Sequence, residues 1–152
     1  MRKHKNKSFA TIIFIACFFF IGCNPKPEKI NYGKDSCSEC KMTIMDPKFG
    51  GEIVTEKGKV YKFDDTHCVA AFLERRGVEL ADIHQTLFIQ YDHPNEFVDV
   101  KSAGFVVSSR LKSPMGGNAA AFKNETAAKK KSAEIEGSRV TNWATLYNIL
   151  IK

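Results

Sequence analysis

The feature that most constrains this chain is a pair of cysteines, Cys37 and Cys40, followed two residues later by Met42. A second segment with metal-binding groups, DDTHC at 64–68, lies further along. Thiolate and thioether sulfurs are soft ligands, which select Cu(I) over hard cations such as magnesium or calcium. A Cys-x-x-Cys pair by itself leaves zinc binding, disulfide exchange and a structural bridge open. The methionine favours copper, because an extended backbone from Cys40 would put both sulfurs on one face.

The N-terminus has the features of an export signal. Four basic residues precede an apolar run from Phe9 to Ile21, about 13 residues long, which is short for a membrane span and typical of a signal-peptide core. The run ends in Gly22 and Cys23, which resembles a bacterial lipobox; an ordinary signal peptide with an incidental cysteine is the alternative. We therefore expect a lipoprotein signal peptide over 1–22 and lipidation of Cys23, with enough acyl chains for a stable membrane anchor.

Removal of the signal changes both the net charge and the cysteine count. The formal charge of +6 includes four basic and no acidic residues before Cys23, so the remaining chain is near +2 and contains no arm that would bind nucleic acid. Three of the five cysteines stay in the fold, namely Cys37, Cys40 and Cys68. An odd number is poorly suited to a framework of disulfides alone. It suits metal ligation, or one bridge with one free thiol.

The rest of the chain predicts a tether over 23–34 and one domain over 35–152, which is long enough to form its own core. Strands are predicted at 50–55, 59–63, 86–91, 96–100, 103–108 and 118–122, the fourth and fifth forming a pair. Helices are predicted from a cap at Asp64 or Asp65 to about Arg76, from a cap at Asn124 to about Glu136, and from Thr141 onward, with Gly77 and Gly137 ending the first two. Each half thus has strands followed by a helix. We predict an α+β fold in which two small ββα-type units pack into one compact domain.

Two functions other than copper binding are compatible with the cysteines. A thiol–disulfide oxidoreductase would use Cys37 and Cys40, but that chemistry favours a first cysteine at a helix N-terminus, and here the motif leads into a β-prone segment. A structural zinc site could use Cys37, Cys40, His67 and Cys68. Against it, adjacent helix residues diverge by about 100°, so His67 and Cys68 can face one metal only where the backbone is irregular. No nucleophile–base pair, catalytic carboxylate pair or phosphate loop is present in the sequence, so we expect no enzymatic activity.

Taken in order, the motifs resemble the NosL family. The resemblance is carried by CKMTI at 40–44, FDD at 63–65, SPMGG at 113–117, the Ala121–Phe122 pair and Trp143, and it extends from about Asp35 to Tyr147. It implies a copper-binding lipoprotein accessory to nitrous oxide reductase. Such a protein would be a Cu(I) metallochaperone of the cell envelope, anchored in the inner or outer membrane and facing the periplasm. It would pass copper into the maturation of nitrous oxide reductase through a membrane-bound ABC-type complex.

The resemblance also implies the metal ligands. Cys40, Met42 and Met115 are the expected sulfur ligands of Cu(I), with His67 or Asp65 as completing groups. A partly open site of two or three soft ligands would release Cu(I) by ligand exchange rather than store it. The chain departs from the family pattern in two places: Lys41 stands where a glycine is common, and Cys37 adds a further thiol as a candidate ligand.

Overall fold

The computed structural model describes residues 25–152, so the expected signal peptide and the lipidation site at Cys23 lie outside the described residues. The strands are β1 (Gly51–Thr55), β2 (Val60–Phe63), β3 (Ile83–Gln90), β4 (His93–Asp99), β5 (Gly104–Val107), β6 (Ala119–Phe122) and β7 (Arg139–Thr141). The helices are α1 (Thr66–Glu74), α2 (Glu125–Ser132) and α3 (Trp143–Leu150), and a single 3-10 turn, Leu80–Asp82, precedes β3. None of the helices in this part of the chain has the length and apolarity that a membrane span requires.

All seven strands belong to one mixed sheet, with the order β2-β1-β3-β6-β5-β7 and with β4 also paired to β3. The two halves of the sheet meet where β3 and β6 run parallel, at the residue pair Gln90 and Ala121. The backbone N–H of Tyr91 extends this contact by donating to the carbonyl of Ala121 over 2.8 Å. The predicted α+β class is confirmed. The predicted division into two packed ββα-type units is not shown, because strands from both halves share this sheet.

The hairpin β1–β2 and the helix caps agree with the sequence-based prediction, whereas the pairing of the later strands does not. The strands predicted at 96–100 and 103–108 are not partners: β4 pairs with β3, and β5 lies between β6 and β7. The sequence did not reveal β7, a strand of three residues, which is too short for an alternating pattern. Helix α3 therefore begins after β7, where the Asn142 side chain accepts the N–H of Thr145 over 2.9 Å.

The first two helices end earlier than predicted. Helix α2 ends at Ser132 rather than near residue 136. After α1, Arg76 rather than Gly77 adopts the left-handed backbone conformation, with φ of 53°. The N–H of Gly77 then donates to the carbonyl of Phe72 over 2.9 Å, which satisfies one of the free carbonyls at the helix end.

The segment before β1 packs against the sheet. Ile30 is buried in the core, and the N–H of Gly33 donates to the carbonyl of Ile44 over 2.9 Å. The N–H of Glu28 donates to Oε2 of Glu52 over 3.1 Å. Residues 28–34, which the sequence assigned to the tether, thus make contacts with the domain, and a flexible tether would be confined to the residues before Glu28.

Glu52 lies at the centre of that contact and is fully buried. Its Oε1 has no hydrogen-bond partner among the described residues. Burial raises the pKa of Glu52 from its ordinary value of 4.5 to about 7, although the N–H of Glu28 and the nearby Lys62 favour the charged form. A carboxyl group with a raised pKa binds its proton more tightly in the folded state. Its contribution to stability is therefore greatest at low pH and is lost as the pH rises from 4.5 to about 7.

Glu52→Gln should abolish this contribution, because the amide resembles the protonated acid and keeps an acceptor for the N–H of Glu28. Urea unfolding at a series of pH values measures the effect. Relative to the parent, the variant should gain stability as the pH rises through this interval. Other titrating groups cancel in the difference between the two proteins. Parallel stability curves for parent and variant would show that Glu52 keeps an ordinary pKa.

Candidate metal centre

The cysteine loop, residues 36–42, forms a tight turn. The N–H of Cys37 donates to the carbonyl of Met42 over 2.8 Å, and the N–H of Lys41 donates to the carbonyl of Cys37 over 3.1 Å. Lys41 has a φ of 67°, so the backbone reverses after Cys40 instead of becoming extended. The one-faced arrangement of Cys40 and Met42 that an extended chain would give is therefore not formed. The Met42 side chain is instead 59% exposed.

The left-handed conformation of Lys41 makes glycine the residue best suited to this position. A left-handed backbone costs an L-residue about 1–2 kcal/mol, whereas glycine adopts it without steric penalty. We expect Lys41→Gly to raise the free energy of unfolding by about 0.5–1 kcal/mol, less than the full steric cost because glycine loses more entropy on folding. Lys41→Ala is the matched control: it also removes the bond from Lys41 Nζ to the carbonyl of Ser38 but keeps the strain. Equal unfolding midpoints for the glycine and alanine variants would contradict this explanation.

Hydrogen bonds and an ion pair fasten the cysteine loop to β2 and α1. The N–H of Ser38 donates to the carbonyl of Lys62 over 2.7 Å, and the N–H of Lys62 donates to Oγ of Ser38 over 3.1 Å. Glu39 forms an ion pair with Arg75 at the end of α1. The end of β2, where Asp64 and the helix cap follow, is thereby held next to the cysteines.

Helix α1 begins at an aspartate cap, as the sequence predicted. Oδ1 of Asp65 accepts the N–H of His67 over 2.9 Å and the hydroxyl of Thr66 over 3.1 Å. Cys68 faces inward and is 1% exposed, whereas its neighbour His67 is only half-buried. The helix thus separates these neighbours, in keeping with the divergence expected of adjacent helix residues.

Four side chains from the loop and the helix meet in one cluster: Cys37, Cys40, Asp64 and Cys68, whose ligand atoms all lie within 4.8 Å of one another. Sγ of Cys40 lies 3.6 and 3.7 Å from the two oxygens of Asp64. All three thiols are free. Cys37 and Cys68 are buried and Cys40 is half-buried, so the cluster is accessible from the side of Cys40.

The three thiols of the cluster differ in acidity. A hydrogen bond from the Cys68 thiol lowers the pKa of Cys37 to about 7, although burial opposes the shift. The same bond, together with burial, raises the pKa of Cys68. Burial also raises the pKa of Cys40. Since thiolates rather than thiols bind metals, Cys37 is the group that ionises most readily for a soft metal ion.

The loop at 113–117 lies against the start of α1. The N–H of Met115 donates to Oδ2 of Asp65 over 2.8 Å. Gly117 approaches so closely that an added Cβ would lie 2.5 Å from Oδ1 of Asp65 and 3.0 Å from Cβ of His67. Met115 is half-buried and packs against the core residues that include Cys37 and Cys68. One carboxylate, that of Asp65, therefore caps α1 and fixes this loop.

The structure brings together some of the ligand candidates and separates others. Cys37 and Cys40 belong to the cluster. Asp65 lies outside it and uses both oxygens in structural hydrogen bonds. His67 also lies outside it and lines a groove formed with the C-terminal end of α3. Sequence reasoning placed Asp64 in the DDTHC segment but gave it no role beyond that of a possible helix cap, and it did not identify Asp64 as a ligand candidate.

Both alternative functions can be compared with this geometry. In the zinc alternative, Asp64 takes the place that the sequence gave to His67, because it supplies the fourth donor of the cluster beside Cys37, Cys40 and Cys68. For an oxidoreductase, residues 38–40 form a turn, and no helix begins at Cys37. The pKa of Cys37 is lowered mainly by a hydrogen bond from the neighbouring Cys68 thiol.

The family comparison and the comparison with solved structures both return NosL proteins. The family model for NosL matches residues 29–148. The crystal structure of the copper chaperone NosL from Shewanella denitrificans is similar, with a TM-score of 0.65 and 21% sequence identity, over 78% of this chain and 93% of that chain. At this identity the structural similarity establishes the fold alone. No match was found among curated proteins.

Proposed function

The chain belongs to the NosL family, and from that premise we propose that it is a Cu(I) metallochaperone serving the maturation of nitrous oxide reductase. One observation carries the proposal, namely the convergence of three free thiols and one carboxylate within 4.8 Å. Thiolates are the ligands that Cu(I) prefers, and hard cations are poorly served by such a set. The half-buried position of Cys40 suits transfer, because an incoming ligand can displace one arm of the site without release of free ion.

We assign Cys40 and Cys37 as thiolate ligands and Met115 as a thioether ligand of Cu(I). Cys40 is the half-buried member of the cluster, and Met115 packs against the core that contains Cys37 and Cys68, on a loop fixed by Asp65. Met42 follows Cys40 by two residues and is exposed, which suits an arm that engages copper during uptake or release. In this assignment Asp65 positions the methionine loop.

His67 is the remaining candidate from the sequence. It lines the groove formed with the C-terminal end of α3 and is not part of the four-residue cluster. We therefore place His67 as a completing ligand in the transfer complex rather than in the resting site.

The location and partners of the chaperone are part of the same proposal. Removal of 1–22 and lipidation of Cys23 would hold the domain in the cell envelope, facing the periplasm. Residues 24–27 would then link the lipid to the packed segment that begins at Glu28. The receiving partners would be a membrane ABC-type complex and nitrous oxide reductase.

Structural zinc is the second candidate function, and the donor set of the cluster is the observation that favours it. Three cysteines and one aspartate are four donors of the kinds that tetrahedral zinc sites use. A structural zinc site would couple folding to the metal, so a strong chelator would unfold the protein. If the chain is a copper chaperone, circular dichroism of the metal-free protein should instead show native secondary structure.

Met115→Leu tests the proposed ligand set. Leucine preserves volume and apolarity, so the free energy of unfolding should fall by less than about 1.5 kcal/mol, while a thioether ligand is lost. We expect near-normal folding and clearly weaker Cu(I) binding in a competition titration with a chromogenic Cu(I) chelator. Met45→Leu is the matched control, because Met45 is 68% exposed and has no assigned role. If Met115→Leu binds Cu(I) as tightly as the parent, Met115 is only a loop residue.

A further inference from the structure

The cluster contains more thiols than a transfer site requires, and the thiols are of two kinds. Cys37 and Cys68 are each 1% exposed, and their sulfurs lie within 4.8 Å of each other. Cys40 is half-buried and lies against the carboxylate of Asp64. One thiol–carboxylate pair therefore faces the entrance, and one thiol–thiol pair lies behind it.

We propose that Cys37 and Cys68 act as a two-electron reductant that converts incoming Cu(II) to Cu(I) at the entrance to the site, a further activity that rests on the proposed copper-binding function. Cu(II) is the form of copper that an oxidising compartment supplies, and it accepts oxygen donors such as Asp64 more readily than Cu(I) does. Thiolate Cys40 and Asp64 would hold the Cu(II) ion while the buried pair reduces it.

The reaction balances with these groups alone. Each of two Cu(II) ions accepts one electron, and the two electrons come from the sulfurs of Cys37 and Cys68. A sulfur–sulfur bond forms between these residues, and the two thiol protons leave to bulk water. The products are two Cu(I) ions and one disulfide. A small dithiol reductant, entering from the half-buried side of Cys40, would restore the pair by thiol–disulfide exchange.

Burial selects Cys37 and Cys68 over the other pairings, because each of these would use the half-buried Cys40. Both are inaccessible to a second protein molecule, so their disulfide forms within one chain. The sulfurs of Cys37 and Cys68 lie within 4.8 Å of the Cys40 sulfur and the Asp64 carboxylate, which would hold the Cu(II) ion. The electrons therefore travel only between neighbouring atoms of the cluster. Pairing these two leaves Cys40 free as a thiolate for the Cu(I) that is produced, and Cys37 becomes a second thiolate ligand once the disulfide has been reduced again.

The test uses the full chain in detergent micelles, with Cys17 and Cys23 replaced by serine so that the cluster supplies the only thiols. Reduced, metal-free protein is mixed anaerobically with copper(II) sulfate. The Cu(II) electron paramagnetic resonance signal, the Cu(I) captured by bicinchoninate, and the alkylated cysteines are then measured. We expect two Cu(II) ions to be reduced per chain, a disulfide that peptide mapping assigns to Cys37 and Cys68, and alkylation of Cys40. Cys68→Ser should slow the loss of the Cu(II) signal by about tenfold or more.

A persistent Cu(II) signal with intact thiols would overturn the inference. So would a disulfide mapped to Cys37 and Cys40 or between two molecules, or an unchanged rate of reduction in Cys68→Ser. Mapping the disulfide in the parent protein shows which cysteines are paired, even if Cys68→Ser fails to fold. A parallel titration with Cu(I) supplied directly tests the proposed function separately. Loss of Cu(I) binding there would refute the chaperone, whereas tight Cu(I) binding without reduction of Cu(II) would refute only the present inference.

Discussion

Replacing Asp65 with asparagine should destabilise the domain by about 3 kcal/mol and also weaken Cu(I) binding, although Asp65 is not assigned as a ligand. The retained carbonyl oxygen can still accept the N–H of His67 and the hydroxyl of Thr66. The new amide group would replace Oδ2 and point its hydrogens at the N–H of Met115. Two partly buried donors would then face each other without an acceptor, so the loop at 113–117 should move away from α1.

Urea unfolding and a Cu(I) competition titration measure these two effects. Asp46→Asn is the matched control, because Asp46 accepts a single N–H, from Lys48 over 2.9 Å, at an exposed turn. That variant should change stability by no more than about 0.5 kcal/mol and leave copper binding unchanged. Parent-like stability in Asp65→Asn would contradict the role of Asp65 as the clamp between helix and loop.

Replacing Cys40 with serine should lower Cu(I) affinity by about two orders of magnitude or more, since loss of a thiolate ligand exceeds the usual cost of altering a supporting residue. Folding should be little affected, because the half-buried Cys40 contributes no disulfide and serine fits its volume. A hydroxyl group is a hard donor and remains protonated at neutral pH, so it cannot replace the thiolate.

The control for Cys40→Ser is Ser36→Ala, which changes an exposed residue of the same loop. Both variants should have denaturant unfolding midpoints close to that of the parent protein. Competition with a chromogenic chelator then reports Cu(I) affinity, which only the cysteine variant should lose. An affinity within about threefold of the parent in Cys40→Ser would be too small a change for a lost ligand and would remove Cys40 from the site.

The parts of the fold that depend on local sequence could be predicted. Helix caps at Asp65 and Asn124 follow from side chains that accept neighbouring N–H groups, and the β1–β2 hairpin follows from its turn. The joining of β3 to β6 could not be foreseen, because it depends on a contact between Gln90 and Ala121, which are far apart in the sequence. The partners of β5 depend equally on tertiary packing.

The candidate site also has one part that the local sequence predicts and another that depends on tertiary contacts. Cys37 and Cys40 could be identified from their spacing and from soft-ligand chemistry. The inclusion of Asp64 and Cys68 depends on hydrogen bonds between Ser38 and Lys62 that bring the loop to β2, and no periodic pattern encodes these bonds. Met42 shows how an expectation from sequence spacing can fail when the backbone conformation differs. Its spacing from Cys40 predicted one common face, but the left-handed residue between them turns the chain.

X-ray absorption spectroscopy of the Cu(I)-loaded protein tests the central claim most directly. The account predicts one tightly bound Cu(I) ion per chain with a first coordination shell of sulfur alone, from thiolates of the cluster and one thioether. That shell should lose a sulfur scatterer in Met115→Leu and another in Cys40→Ser. A shell dominated by nitrogen or oxygen, or a spectrum unchanged by either substitution, would contradict the assignment of the cluster as the copper site.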